Sequence, residues 1–182
     1  QHYYPEMSGT ARRTKDLGET FTKQGHQVSV ITSFPREFRS MPSEDCKSFE
    51  NINAVSVHRV KTLFEVKKNI FFRMLSYLIF VIQSLKFSLM LSKKSDIVIS
   101  VAPLSSGVIG SLVQLIKNKH HHFDVPDILP DLGISAGMIN NKFIVWLLFK
   151  LEKWVYDHSN SISAITHSQI ENIHSKGVTQ EK

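Results

Sequence analysis

Short β-branched runs alternate with amphipathic stretches along almost the whole of this 182-residue chain, and no other feature limits its fold as much. Gln27–Thr32 (QVSVIT), Asn53–Val60 (NAVSVHRV), Asp96–Val101 (DIVISV) and Asn160–Thr166 (NSISAIT) read as strands. DIVISV is apolar nearly throughout, as a strand buried on both faces is. A fifth strand slot falls on HHHFDVPDILPDLG, between a helical stretch and a proline turn. Helices are expected over Gly9–Lys23, from Ile70 to the Lys93-Lys94 pair, over SSGVIGSLVQLIKNK, over Lys142–Asp157 and from Ser168 onward. Gly25 and Gly177 stand where a helix-ending residue with positive φ is wanted. Asn141 is the expected cap of the fourth helix, whose Phe143, Leu147 and Leu151 form an i, i+4, i+8 apolar row. Ser168 and Glu171 have the spacing of a capping box. Alternating strands and helices predict a parallel sheet covered by helices on both faces. The length fits a single domain, 1–182.

In a sheet of that kind ligands bind beyond the carboxyl ends of the strands. That rule selects the opening loop, Ser33–Arg36, Ala102–Gly107 and Asp124–Gly133. The opening turn, Pro5 to Gly9, runs into a helix without a strand before it. The expectation is therefore that a central first strand precedes Gln1. In PEMSGTARR the free N–H groups of a helix start, Gly9 and the cations Arg12 and Arg13 suit an anion; a plain N-cap with solvated arginines accounts for the same residues. In APLSSGVIG, Ser105, Ser106 and Gly107 either cap a helix or donate to a ligand. Asp124 and Asp127 sit at a strand end, where a carboxylate accepts from a hydroxyl, acts as a base or caps a turn. Alternation puts His120 and His122 on one strand face and His121 on the other, which argues against a three-histidine metal site. The remaining histidines receive no role, and Cys46 has no base near it in sequence, so it is not proposed as a nucleophile.

Charge narrows the partners. The net charge of +6 favours something anionic: a phosphorylated substrate, an acidic lipid surface or nucleic acid. The cations are scattered and no basic–aromatic ladder exists, so nucleic acid ranks last. A single cysteine allows no internal disulfide, which points to a reducing cytoplasm. IFFRMLSYLIFVIQSLKFSLML is broken by Arg73, Gln83 and Lys86, and its unbroken apolar part is far short of the roughly 20 residues a bilayer needs. It reads as a helix of the core or, alternatively, one lying on a membrane surface.

Five segments in order resemble the N-terminal half of a GT-B glycosyltransferase of the large retaining group numbered family four. YYPEMSGTARR is similar to the family's P-E-x-G-G-x-A loop and KQGHQVSVITSFP to G-H-x-V-x-V-x-T with a following proline. SDIVISVAPLSSG resembles D-V-V-I-x-x-x-P. DVPDILPDLGI resembles R-D-x-W-P-E, with Pro126 and Leu129 in place of Arg and Trp. LEKWVYDHSNSISAITHSQIENIHSKGV resembles E-x-x-x-Y-x-x-A-D, a strand, then K-x-G-V. The resemblance implies a Rossmann-like α/β fold lacking its first strand and its C-terminal donor domain. It implies transfer of a sugar from a nucleotide-sugar donor, such as a UDP-sugar, to a lipid-linked or polysaccharide acceptor of bacterial surface-polysaccharide synthesis. It implies no metal and no further cofactor, and a cytoplasmic enzyme peripheral on the inner face of an anionic membrane. Carried over by position, Ser8 and Gly9 face the donor phosphates and Asp127 lies near the acceptor hydroxyl, with Arg12 and His121 as further contacts; Ser105 and Ser106, from the strand-end reading, complete the expected substrate-binding residues. Without the donor half the isolated domain is expected to be inactive. A non-enzymatic α/β module binding a phosphorylated or sugar ligand, and a sugar-nucleotide epimerase, are the competing expectations.

Overall fold

The turn between two strands sets the first departure from that expectation. The computed structural model describes residues 3–6, 8–35, 47–62, 70–128, 131, 134, 137 and 141–179, with the backbone alone for 70–74 and 76. Cys46, Arg36 and Leu129, on which sequence-based expectations fell, lie outside the described residues. The chain divides into two units, Gln1–Leu91 and Ser92–Lys182.

In the first unit α1 (Gly9–Lys23) is capped at its start by Ser8, and Gly25 follows its end with φ +91°. Three strands follow: β1 (Ser29–Ser33), β2 (Phe49–Ile52) and β3 (Val55–Val60), then α2 (Ile70–Leu91). Their order in the sheet is β1-β3-β2. β1 runs parallel to β3, pairing Ser29 with Ser56 through Ser33 with Val60. β2 runs antiparallel to β3, so the expected all-parallel arrangement does not hold here. Ile52 pairs with Val55, leaving Asn53-Ala54 as a two-residue turn with φ +49° and +68°. Positive φ at both positions is the geometry that lets two twisted strands meet. Sequence reasoning placed Asn53 and Ala54 inside a strand because alanine is a poor signal for left-handed backbone. Tyr3, Val55 and Val57 form the buried cluster, with Val28, Val30 and Ile52 packed on it. α2 packs on β1 and β3. Its Phe80 is buried, while Leu78, Ile82 and Met90 are exposed.

The second unit follows the expected pattern. A short 3-10 turn (Ser92–Lys94) leads to β4 (Ile97–Val101), α3 (Leu104–Lys117), β5 (His120–Val125), α4 (Lys142–Asp157), β6 (Ser161–Ala164) and α5 (His167–Ser175). The sheet order is β4-β5-β6 and every pair is parallel. This is the mixed α/β, Rossmann-like architecture expected. The core gathers Ala102, Phe123, Val125, Val155, Tyr156, Ile173 and Val178. Burying each large side chain contributes about 2 kcal/mol.

Two local expectations are corrected. The capping box of α5 is formed by Thr166 and Gln169, not Ser168 and Glu171. Thr166 Oγ1 accepts from the Gln169 N–H, and Gln169 Oε1 accepts from the Thr166 N–H. In α4 the row Phe143–Leu147 faces solvent, and the inward face instead carries Glu152, Val155 and Tyr156. The apolar period was real, but that row lies on the outward side, and the inward side buries Val155 and Tyr156 together with the Glu152–Lys176 ion pair.

Candidate active site

Parallel pairing places the ends of β4 and β5 side by side. Val101 is opposite Asp124, and the Ala102 N–H donates to the Asp124 carbonyl (2.9 Å). The turn Pro103–Ser106 and the segment Pro126–Asp127 therefore leave the same carboxyl edge of the second unit's sheet. Asp127 is exposed there. The residue before it is held in place. Gln169 Nε2 donates to the Pro126 carbonyl (2.8 Å), so the capping box of α5 also fixes the exit of β5. Further along, Lys176 donates to Asp131 Oδ2 (2.6 Å) and to Glu152 Oε2 (2.8 Å). Glu152 is buried, and its Oε1 also accepts from the Tyr156 hydroxyl (2.9 Å). Burial, and then the Glu152 carboxylate, push the Tyr156 phenol well above its ordinary pKa. Glu152 and Tyr156 are the acid and tyrosine of the E-x-x-x-Y pattern, and Lys176 directly precedes the Gly177-Val178 pair. Their contact holds Asp131, four residues beyond Asp127.

Ser105 and Ser106 open α3 after Pro103. Neither is a side-chain cap, because the N-cap position is Pro103. The Ser105 hydroxyl is buried without a hydrogen-bond partner, and the Ser106 N–H donates to the Pro103 carbonyl (2.8 Å). The two glycines of SSGVIG do something else. A methyl group on Gly107 would come within 2.6 Å of Val155 and 2.9 Å of Phe123, and one on Gly110 would overlap His121 and Ser100. They let α3 sit close on β4 and β5.

His121 lies under that contact, completely buried. Its Nδ1–H faces the His158 carbonyl and the Ser159 hydroxyl, both at 3.3 Å, and its Nε2 accepts from the Ser100 hydroxyl at 3.0 Å. Burial drives its pKa down to about 4, so the ring is neutral at pH 7. It presents no surface to a ligand and stands among the packing groups of the unit, not on the edge with Asp127. The strand alternation separates it from its neighbours as expected. On the opposite face His120 and His122 join a polar ladder with β6: His122 Nδ1 meets Ser161 Oγ at 2.8 Å and its Nε2 meets Ser163 Oγ at 3.0 Å. The Ser163 hydroxyl donates to Asp124 (2.6 Å), and His120 reaches Ser161 (3.3 Å). Asp124 is thus engaged inside the sheet, leaving Asp127 as the acid of the edge. Burial lowers the His122 pKa against the opposing pull of Asp124.

In the first unit Ser8 and Gly9 stand at the start of α1. Ser8 Oγ accepts from the Ala11 N–H (3.2 Å). Gly9 is exposed, has no strained φ, and a methyl group on it would meet nothing within 4 Å. Arg12 is exposed one turn further in, with Nε 3.8 Å from Asp16. The loop entering α1 is secured by a residue that strand periodicity hid. Arg59 on β3 is buried and donates from Nη2 to the Tyr4 carbonyl (2.7 Å). Its Nε–H and Nη2–H also donate to Glu50 Oε1 on β2 (2.8 and 2.6 Å). Nearby Tyr3 is buried, and its phenol is pushed up to about 12, chiefly by that burial. A cavity of about 350 Å³ in the first unit opens at the other end of α1, between Glu19, Lys23 and the Asn53-Ala54 turn. It touches none of the expected site residues. Among the described residues, no group of three or more His, Cys, Asp or Glu is placed to hold a metal ion, and no helix is long and apolar enough to cross a membrane.

A parallel α/β unit of this kind, with its helices packed on the sheet, is Rossmann-like. Within that class, the chain belongs to the glycosyl transferase 4-like domain family, whose model matches residues 8–182. No curated protein matches it. Its class of activity is glycosyl transfer, between a nucleotide-sugar donor and an acceptor.

Proposed function

We propose that residues 1–182 are the acceptor-side domain of a two-domain GT-B enzyme that moves a hexosyl or N-acetylhexosaminyl group from a UDP-sugar, with retained anomeric configuration. The acceptor is a lipid-linked diphosphate sugar of bacterial surface-polysaccharide synthesis, as in lipopolysaccharide or capsule. Asp127 serves the acceptor hydroxyl, with Ser105 and Ser106 as hydrogen-bonding groups on the same sheet edge. Ser8 and Gly9 serve the donor phosphates, with Arg12 adding positive charge. The enzyme works in the cytoplasm, peripheral on an anionic inner membrane face.

The observation that carries this reading is the shared carboxyl edge of β4 and β5, with Asp127 exposed between Pro126, held by Gln169, and Asp131, held by Lys176. Open backbone at Gly9 suits the close approach of a phosphate to a helix start. The +6 charge suits an acceptor carried in an anionic bilayer. Exposed Leu78, Ile82 and Met90 on α2 suit it too. The test is an assay of the full-length protein against a panel of nucleotide sugars and lipid-diphosphate acceptors. Transfer from a UDP-sugar to a lipid-diphosphate acceptor, with the configuration of the new bond read by NMR, is the expected result. Absence of transfer with every donor, or inversion, rejects the corresponding part of the proposal.

A further inference from the structure

The outward face of α4 is inverted relative to an ordinary surface helix. Phe143, Trp146, Leu147 and Lys150 recur at i, i+3, i+4 and i+7, which places them on one stripe. Phe143 is 68% exposed, Trp146 54% and Leu147 51%, with Ile144 beside them at 46%. Surface stripes of a globular helix are normally polar, and contiguous apolar patches mark a surface that something covers. Phe143 and Trp146 stack on one another, with centroids 5.9 Å apart. Lys150 lies 6.0 Å over the Trp146 ring.

The charges around the stripe say what covers it. Lys142, Lys150 and Lys153 are the cations of this helix, all exposed. Its two acids are occupied: Glu152 is buried against Lys176, and Asp157 is paired with Lys153 at 3.2 Å. A two-fold contact between copies of this face would bring like charges together. An anionic lipid surface matches both components, since tryptophan and phenylalanine settle at the headgroup boundary while lysines reach outward to phosphates. The geometry points to the first two turns of α4 as an interfacial anchor, with Phe143, Trp146 and Leu147 entering the headgroup boundary of an anionic membrane and Lys142 and Lys150 on its phosphates. This inference deepens the membrane part of the proposed function and rests on it only for the choice of a bilayer as partner.

Docking is measured without donor or acceptor. The full-length protein is floated with vesicles of 30% phosphatidylglycerol in phosphatidylcholine, and with phosphatidylcholine alone. Binding is expected only with the anionic vesicles. The double substitution Phe143→Ser/Trp146→Ser should weaken it at least tenfold, and Lys150→Gln about fivefold. Both variants should transfer sugar normally to a water-soluble acceptor analogue, which separates a failure of docking from a failure of the enzymatic reading. A full-length chain in which every tryptophan except Trp146 is replaced by phenylalanine supplies a measurement on the intact surface: its emission should shift to the blue on vesicle addition and be quenched by brominated lipid. Unchanged flotation of the double variant, absence of flotation by the unaltered protein, or a Trp146 emission unmoved by vesicles overturns the assignment. So does a dimer in solution that the double variant converts to monomer, which would make the occupant a second copy.

Discussion

Two serine–glycine turns, MSGTA at residues 7–11 and LSSGV at residues 104–108, read alike in sequence and are used differently. At the start of α1 the serine is spent on the helix, capping the Ala11 N–H, and the glycine is left in the open. At the start of α3 the serines cap nothing, and the glycines at 107 and 110 are spacers that bring the helix down onto Phe123, Val155, His121 and Ser100. A glycine next to a helix start is therefore not by itself a ligand signal. What separates the two cases is the space a Cβ would enter, and that depends on tertiary contacts no local pattern contains.

The largest effect that would sharpen this contrast is acid, because it acts on the histidine beneath the second turn. His121 has a folded pKa of about 4 against an ordinary value of 6.5. Its neutral form is the one the fold requires. Its contribution is complete above pH 6.5 and falls as the pH drops toward 4, where the unfolded chain takes up a proton that the folded chain refuses. The loss is up to about 3 kcal/mol. His58 and His122, also lowered by burial, act in the same direction. Urea midpoints between pH 7 and 4 should fall, and the fall should shrink in His121→Asn; an unchanged slope in that variant would show that His121 is not the titrating group. Next in size is Gly110→Ala, expected to cost about 2 kcal/mol as overlap with His121 and Ser100 outweighs the gain in helix propensity. Thermal denaturation should record a drop on the order of 5 °C. Smallest for stability is Gly9→Ala, within about 0.5 kcal/mol of the unaltered protein, since the added methyl enters open space. Under the proposed donor role, the same change should slow transfer at least tenfold. Equal destabilisation by the two alanines would break the comparison.

Much of the architecture was legible because it is written in local rules. The nearly continuous apolar run of β4, the Asn141 cap and the glycines after α1 and α5 each state their structure within a few residues. What was hidden depends on partners far along the chain. The β2–β3 hairpin turns on Asn53-Ala54, where alanine takes a conformation usually left to glycine. The true capping box starts two residues earlier than the one read from Ser168, because Thr166 ends β6's exit and Gln169 is drawn toward Pro126. The inward face of α4 carries Glu152, whose partner Lys176 lies 24 residues on. Of the expected site residues, Asp127, Ser105 and Ser106 share one sheet edge, whereas His121 is packed beneath α3. A run of three histidines draws attention by composition, yet each ring is engaged with the backbone or hydroxyls of its own unit.

The carboxyl edge of β5, as the place where an acceptor hydroxyl meets its acid, is the central claim. The most direct measurement is the rate of sugar transfer by full-length Asp127→Asn against the unaltered enzyme, with matched thermal stability as a control. Because Asp127 is exposed and its loop is held at Pro126 and Asp131 by other residues, folding should be unaffected and turnover should fall by about a hundredfold or more. Near-normal turnover in a fully folded Asp127→Asn enzyme would contradict that claim.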